Sequence, residues 1–154
     1  MSKTLSPVQR IGIGLVSGLA GTIVMTLGQK LEMALTRRPP SKVPAKAVEK
    51  VARVDLDEGE EQRASTPIHY AYGTALGGAL ALLDDVPEPA RTGTFLALAY
   101  GGGAALLSGL GLAPPPTEQE PGDIATDVGH HLVYALGVGA TYALLTRAAE
   151  RQAD

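Results

Sequence analysis

The stretch IGIGLVSGLAGTIVMTLGQ, residues 11–29, lies between Arg10 and Lys30 and holds no charged side chain. A helix over these 19 residues is about 28 Å long at ~1.5 Å per residue, close to the hydrocarbon thickness of a bilayer. Three further uncharged runs follow, 64–83, 92–117 and 128–146, of 20, 26 and 19 residues. Runs of this length suit helices and not barrel strands, because a helix satisfies its own backbone groups where lipid offers none. The pattern predicts an all-α, integral membrane four-helix bundle, with helices at about 9–35, 67–83, 92–112 and 124–148. The runs occupy more than half of the 154 residues, which leaves too little chain for a separate catalytic domain.

Composition qualifies this reading without reversing it. The apolar fraction of 45% and the net charge of −3 are ordinary, and the mean hydropathy is only +0.10. Nineteen glycines, mostly inside the runs, and one highly charged loop account for the low value. The absence of cysteine removes disulfides and thiolate metal sites. Lys3, Arg10, Gly18 and Ala20 are placed as in a signal peptide. The apolar run continues past Ala20, so the first helix is expected to be retained.

Ser6-Pro7 suits the start of the first helix and Arg37-Arg38-Pro39-Pro40 its end. Thr66-Pro67 suits the start of the second. Asp84 to Pro89 reads as a tight turn into the third, Pro114-Pro115-Pro116 ends that one, and Asp123 can cap the fourth. The loop 37–63 is polar and partly helical. From Arg37 to Arg53 it carries six bases and one acid, Glu49; from Val54 to Gln62 it carries five acids and no base. Val43, Ala47, Val51 and Val54 share one helical face, and Lys46, Glu49, Lys50 and Arg53 another. That is the pattern of a helix in the headgroup layer, and equally of a solvated surface helix.

Aligning His69 with His131 also matches Tyr72 with Tyr134, Gly77 with Gly139, Ala81 with Ala143, Leu82 with Leu144 and Leu83 with Leu145. This reads as two tandem helical hairpins in parallel repeat. Each run carries a small-residue stripe suited to close helix packing: Gly14, Gly18 and Thr22; Gly73, Gly77 and Ala81; Gly93, Ala97, Gly101, Ala105 and Gly109; Ala135, Gly139 and Ala143. The same stripes can serve a homo-oligomer or another membrane-protein partner.

Glu32, His69, Asp127, His130 and His131 are expected within about two helical turns of one membrane face. Imidazole and carboxylate ligate divalent transition metals, and Asp127 lies one turn from His130 and His131. They are therefore candidate ligands for a metal ion or a proton. The other reading is interhelical hydrogen bonding by the histidines, with Asp127 favoured by the helix dipole. A b-type haem between His69 and His131 is disfavoured, since Phe95 is the one Phe and there is no Trp to wall it. The middles of the runs hold no carboxylate, Lys or Arg, which argues against a charge relay across the membrane. No nucleophile–base pair, phosphate loop or zinc-protease motif appears, so the balance is against an enzyme.

Arg37-Arg38-Pro39-Pro40-Ser41 after a Gly-rich first helix, a proline-containing acidic loop after the third, and Gly129-His130-His131-Leu132-Val133-Tyr134 opening the last resemble the YagU-like family of small bacterial inner-membrane proteins. The resemblance follows the order of elements rather than close identity. It implies residence in the bacterial inner membrane and no established catalysis. That family typically has a single His before the aliphatic–aromatic stretch, where this chain has two.

Lys and Arg number eight on the side of the long loop and five on the side of the termini, which argues for termini outside. The base-free loop between the third and fourth helices and the family resemblance argue for cytoplasmic termini, the orientation expected here. The basic half of the long loop is matched to anionic lipid rather than nucleic acid, since it abuts a membrane helix. The expected role is an accessory or scaffold bundle of the cell membrane, with ion binding or transport through the histidine cluster as the alternative.

Overall fold

The computed structural model describes residues 5–153, which are all-helical with no strand among them. Five α-helices follow in order: α1 (Pro7–Thr36), α2 (Val43–Ala52), α3 (Glu58–Gly78, continued by a 3-10 turn over Ala79–Leu83), α4 (Ala90–Gly109) and α5 (Pro121–Ala153). α1 starts at a reciprocal cap, in which Ser6 Oγ accepts from Gln9 N–H (3.3 Å) and Ser6 N–H donates to Gln9 Oε1 (2.8 Å). It ends at Arg37, whose left-handed backbone (φ 61°) turns the chain ahead of Pro39-Pro40. α4 closes through Gly111, at φ 69°, where a side chain would be strained; beyond it Leu112 N–H reaches back to the Leu107 carbonyl at 2.9 Å.

Two helix starts differ from expectation. α3 begins at Glu58, well before Thr66-Pro67, because Asp57 and Glu60 cap each other's backbone N–H groups at 2.8 and 2.9 Å. The acidic run therefore forms a first turn that suits the helix dipole, and Pro67 lies inside the helix. α5 begins at Pro121, so Asp123 sits in its first turn rather than capping it.

α1 is the centre of the fold, with α3 on one flank and α5 on the other; α2 packs on α3, and α4 packs on α5. The α1–α3 contact is backbone against backbone. A methyl group added to Gly14 would lie 2.6 Å from the Gly77 carbonyl oxygen, and one added to Gly18 would lie 2.6 and 2.7 Å from the carbonyl oxygens of Gly73 and Thr74. Gly77 leaves no room beside the Cα of Gly18. On the other flank Gly21 faces Tyr134 and Val138. The Tyr134 hydroxyl crosses from α5 to donate to the Gly73 carbonyl at 2.6 Å, which ties the three helices together. Two interior hydroxyls find partners on their own helix, Ser17 on the Ile13 carbonyl (2.8 Å) and Thr22 on that of Gly18 (2.7 Å), whereas those of Thr26, Ser108 and Thr146 are buried without one.

The apolar core lies beside this seam and joins Met25, Leu80, Phe95, Ala99, Tyr134, Ala135, Val138 and Tyr142. The Phe95 and Tyr134 rings stand 5.7 Å apart. α4 turns Phe95 and Ala99 inward, and this corrects the expectation that its small stripe is a seam. Gly93, Ala97, Gly101, Ala105 and Gly109 are exposed, and a methyl added at any of these glycines meets nothing within 4 Å. The Phe95 ring is the largest apolar group on α4, and burying it turns the opposite, glycine face outward.

The matched hairpins also differ in surroundings: Tyr134 is buried while Tyr72 is exposed, and α1 serves both α3 and α5. Two helices, α1 and α5, are long and apolar enough to cross a membrane. The charged first turns of α3 and the five glycines of α4 lower the apolarity of the other two.

Replacing Gly18 by Ala is expected to force α1 and α3 apart and cost roughly 1–3 kcal/mol, the usual toll of overpacking. Gly101→Ala, in open space, is expected to be neutral or to gain up to about 1 kcal/mol from helix propensity. Thermal unfolding of the two variants followed by circular dichroism checks the contrast.

Candidate functional site

His131, at the end of the third turn of α5, sits where its Nδ1 is 2.8 Å from the carbonyl oxygen of Asp127, one turn earlier. A carbonyl only accepts, so Nδ1 is the donor in this contact. The ring stands edge-on to Tyr100 of α4, with centroids 5.5 Å apart. Tyr100, Gln119, Asp127 and His131, together with Leu107 and Ala113, line a cavity of about 100 Å³, room for roughly three waters. The hydroxyl of Tyr100 and Nε2 of His69 are buried without a hydrogen-bond partner. His69, on α3, meets Tyr70 edge-on at 6.2 Å.

Of the five candidates only Asp127 and His131 line this cavity; His69, Glu32 and His130 do not. Glu32 is committed to the end of its own helix, accepting from Arg38 at 2.8 Å and from the Thr36 hydroxyl at 2.9 Å. His130 is half-buried and within electrostatic reach of Glu32. Among the described residues no three His, Asp or Glu side chains converge on a point that could hold a metal ion. The cavity offers instead one imidazole, one carboxylate and one phenol, an arrangement fit to hold a proton or ordered water.

A second polar cluster lies at the opposite end of the helices, and the sequence reading did not single it out. Asp84, just after the 3-10 turn, accepts from Arg10 of α1 on Oδ2 and from the Tyr142 hydroxyl of α5 on Oδ1 at 2.8 Å. Arg91 of α4 approaches the same carboxylate at 3.8 Å and lies over the Tyr142 ring, 5.6 Å from its centroid, a cation–π contact. Arg91 also donates to Glu88 at 2.9 Å, and the Thr92 hydroxyl to the other Glu88 oxygen at 2.8 Å. Burial opposes the charged form of Glu88, but hydrogen bonds from Thr92 and Arg91 outweigh it and hold its carboxyl below the usual glutamate range. One carboxylate thus joins α1, α4 and α5. Every charge here is committed to another, so the cluster is a clamp and not a binding surface. Its only sequence signal is that Arg10, Asp84 and Arg91 all border uncharged runs on one side.

Comparison with known proteins returns no match to a family model, to a curated protein or to a solved structure.

Asp84→Asn is expected to cost roughly 1.5–3 kcal/mol, the range for hydrogen bonds to a charged group, in denaturant or thermal unfolding. Glu88 should contribute stability above the ordinary glutamate range and lose it as pH falls through its lowered folded value. Acid unfolding should therefore be less pH-dependent in Glu88→Gln.

Proposed function

We propose that the protein is a non-catalytic accessory or scaffold bundle embedded in the bacterial inner membrane, with α1, α3, α4 and α5 crossing and α2 at the headgroup layer. The observation that carries this reading is the inversion of interior and surface. Gly14, Ser17, Gly18, Gly21 and Thr22 of α1 are buried, while Leu15, Leu19, Ile23 and Leu27 of the same helix are exposed, Leu27 by 62%. α5 likewise turns Leu132, Leu136 and Leu144 outward. Small residues inside and large aliphatics outside is the arrangement of helices packed in lipid, where burying Leu gains nothing; in water such a continuous apolar surface would aggregate. The resemblance to the YagU-like family supports the same location.

The chain has no cysteine, so single cysteines report topology cleanly. With cytoplasmic termini, a membrane-impermeant maleimide applied to intact spheroplasts should label Ser41→Cys and Thr117→Cys and spare Asp85→Cys and Gln152→Cys. Labelling of all four, or of Ser41→Cys and Thr117→Cys from opposite sides, contradicts four crossings. The converse pattern reverses only the orientation.

A second reading keeps Glu32, His69, Asp127, His130 and His131 as a metal or proton site; the placing of Asp127 and His131 beside a cavity supports it, and the lack of three converging ligands among the described residues counts against a metal. Elemental analysis and an oxidised-minus-reduced absorbance spectrum of purified protein separate the two. The scaffold reading expects neither stoichiometric metal nor a Soret band; metal that His131→Ala abolishes would establish the second.

A further inference from the structure

We propose that the cleft between α2 and the α4–α5 connection is a binding site for the anionic phosphodiester headgroup of a membrane lipid, an inference that rests on the membrane placement above. The cleft is open, about 600 Å³, and lined by Lys46, Glu49, Lys50, Arg53, Val54, Asp55, Glu61 and Leu112. Two of its three acids are already engaged. Glu49 accepts the Leu56 N–H at 2.8 Å, and Glu61 pairs with Lys42 at 3.3 Å. Lys46, Lys50 and Arg53 have no ion-pair partner among the described residues, and Glu49 and Asp55 stand against them. With the charge of Glu61 offset by Lys42, the three cations exceed the two remaining carboxylates by one, and their unpaired donors are the match for a phosphate oxygen.

The walls are held in place before any ligand arrives. Ala45 is fully buried, its N–H donates to Ser65 Oγ of α3 at 3.3 Å, and the Lys42–Glu61 pair spans the same two helices. Beside the cations, Val48, Val51 and Val54 are exposed, and Leu112 closes the far side. Apolar surface next to a phosphate site selects an amphiphile over a free phosphate, since it offers the glycerol and upper acyl carbons a place out of water.

The test titrates full-length protein, in nonionic detergent, with dihexanoyl phosphatidylglycerol, dihexanoyl phosphatidylcholine and inorganic phosphate, reading the midpoint of thermal unfolding. Phosphatidylglycerol should raise the midpoint saturably and the other two should not. Each of Lys46→Gln, Lys50→Gln and Arg53→Gln should weaken its apparent affinity roughly fivefold, the weight of one base beside an anionic headgroup. Asp55→Asn should strengthen it, a gain that misfolding cannot mimic. Equal response to phosphatidylcholine, or an unchanged affinity in the three Gln variants, overturns the proposal; an equal response to inorganic phosphate overturns the lipid as ligand. Incorporation into neutral phosphatidylcholine vesicles is measured alongside. Failure there, with the headgroup preference intact in detergent, refutes the membrane bundle and not the cleft.

Discussion

The fold depends on the contact of two backbones, α1 at Gly14 and Gly18 against α3 at Gly73 and Gly77. Dispersion falls steeply with distance, so this contact is worth having only if no side chain intervenes. Gly73 is constrained twice: its Cα faces Thr22 of α1, and its carbonyl receives the Tyr134 hydroxyl from α5. The seam therefore sets the position of α5 as well as that of α3. Once α5 is placed, Phe95 and Ala99 of α4 pack onto it, and the Asp84 clamp closes one end by joining α1, α4 and α5.

The seam and the clamp divide the work by chemistry. In the middle of the bundle no charge is present, and helices are held by close approach and by the Tyr134 hydroxyl on the Gly73 carbonyl. At the Asp84 end, partial exposure to solvent lowers the cost of charge, and a carboxylate with two guanidiniums and a phenol can be held. The His131 end is built differently. His131 lines a small cavity there, and the Tyr100 hydroxyl and His69 Nε2 are buried without partners, so that end keeps polar groups unpaired where the clamp end has paired them.

Much of this was legible in the chain. Ser6-Pro7 marked the start of α1, the proline clusters marked helix ends, and Gly14, Gly18, Gly73 and Gly77 were readable as a seam from their four-residue spacing. α3 was misjudged at its start because Asp57 to Glu61 reads as a charged loop until the reciprocal cap with Glu60 is seen. The glycine stripe of α4 misled because spacing records which residues share a face and not which face is buried; one Phe ring decided that. Glu32, His69, Asp127, His130 and His131 are read from the sequence as lying toward one end, but the partners of Glu32 and the Asp127 carbonyl contact of His131 follow from side-chain geometry. The Asp84 clamp was invisible because Arg10 lies 74 residues away in sequence, and no local pattern couples them.

The small-residue face of α1 points inward, and the proposed membrane placement puts its aliphatic face against lipid. A nitroxide scan of residues 11–27 in bilayers, recording accessibility to oxygen and to a water-soluble nickel chelate, tests it directly. Oxygen should dominate at Leu15, Leu19, Ile23 and Leu27, with both relaxants excluded at Ser17, Gly18 and Gly21. Access of the nickel chelate to Leu19 and Ile23 would contradict it, because that is the signature of a helix whose apolar face stands in water.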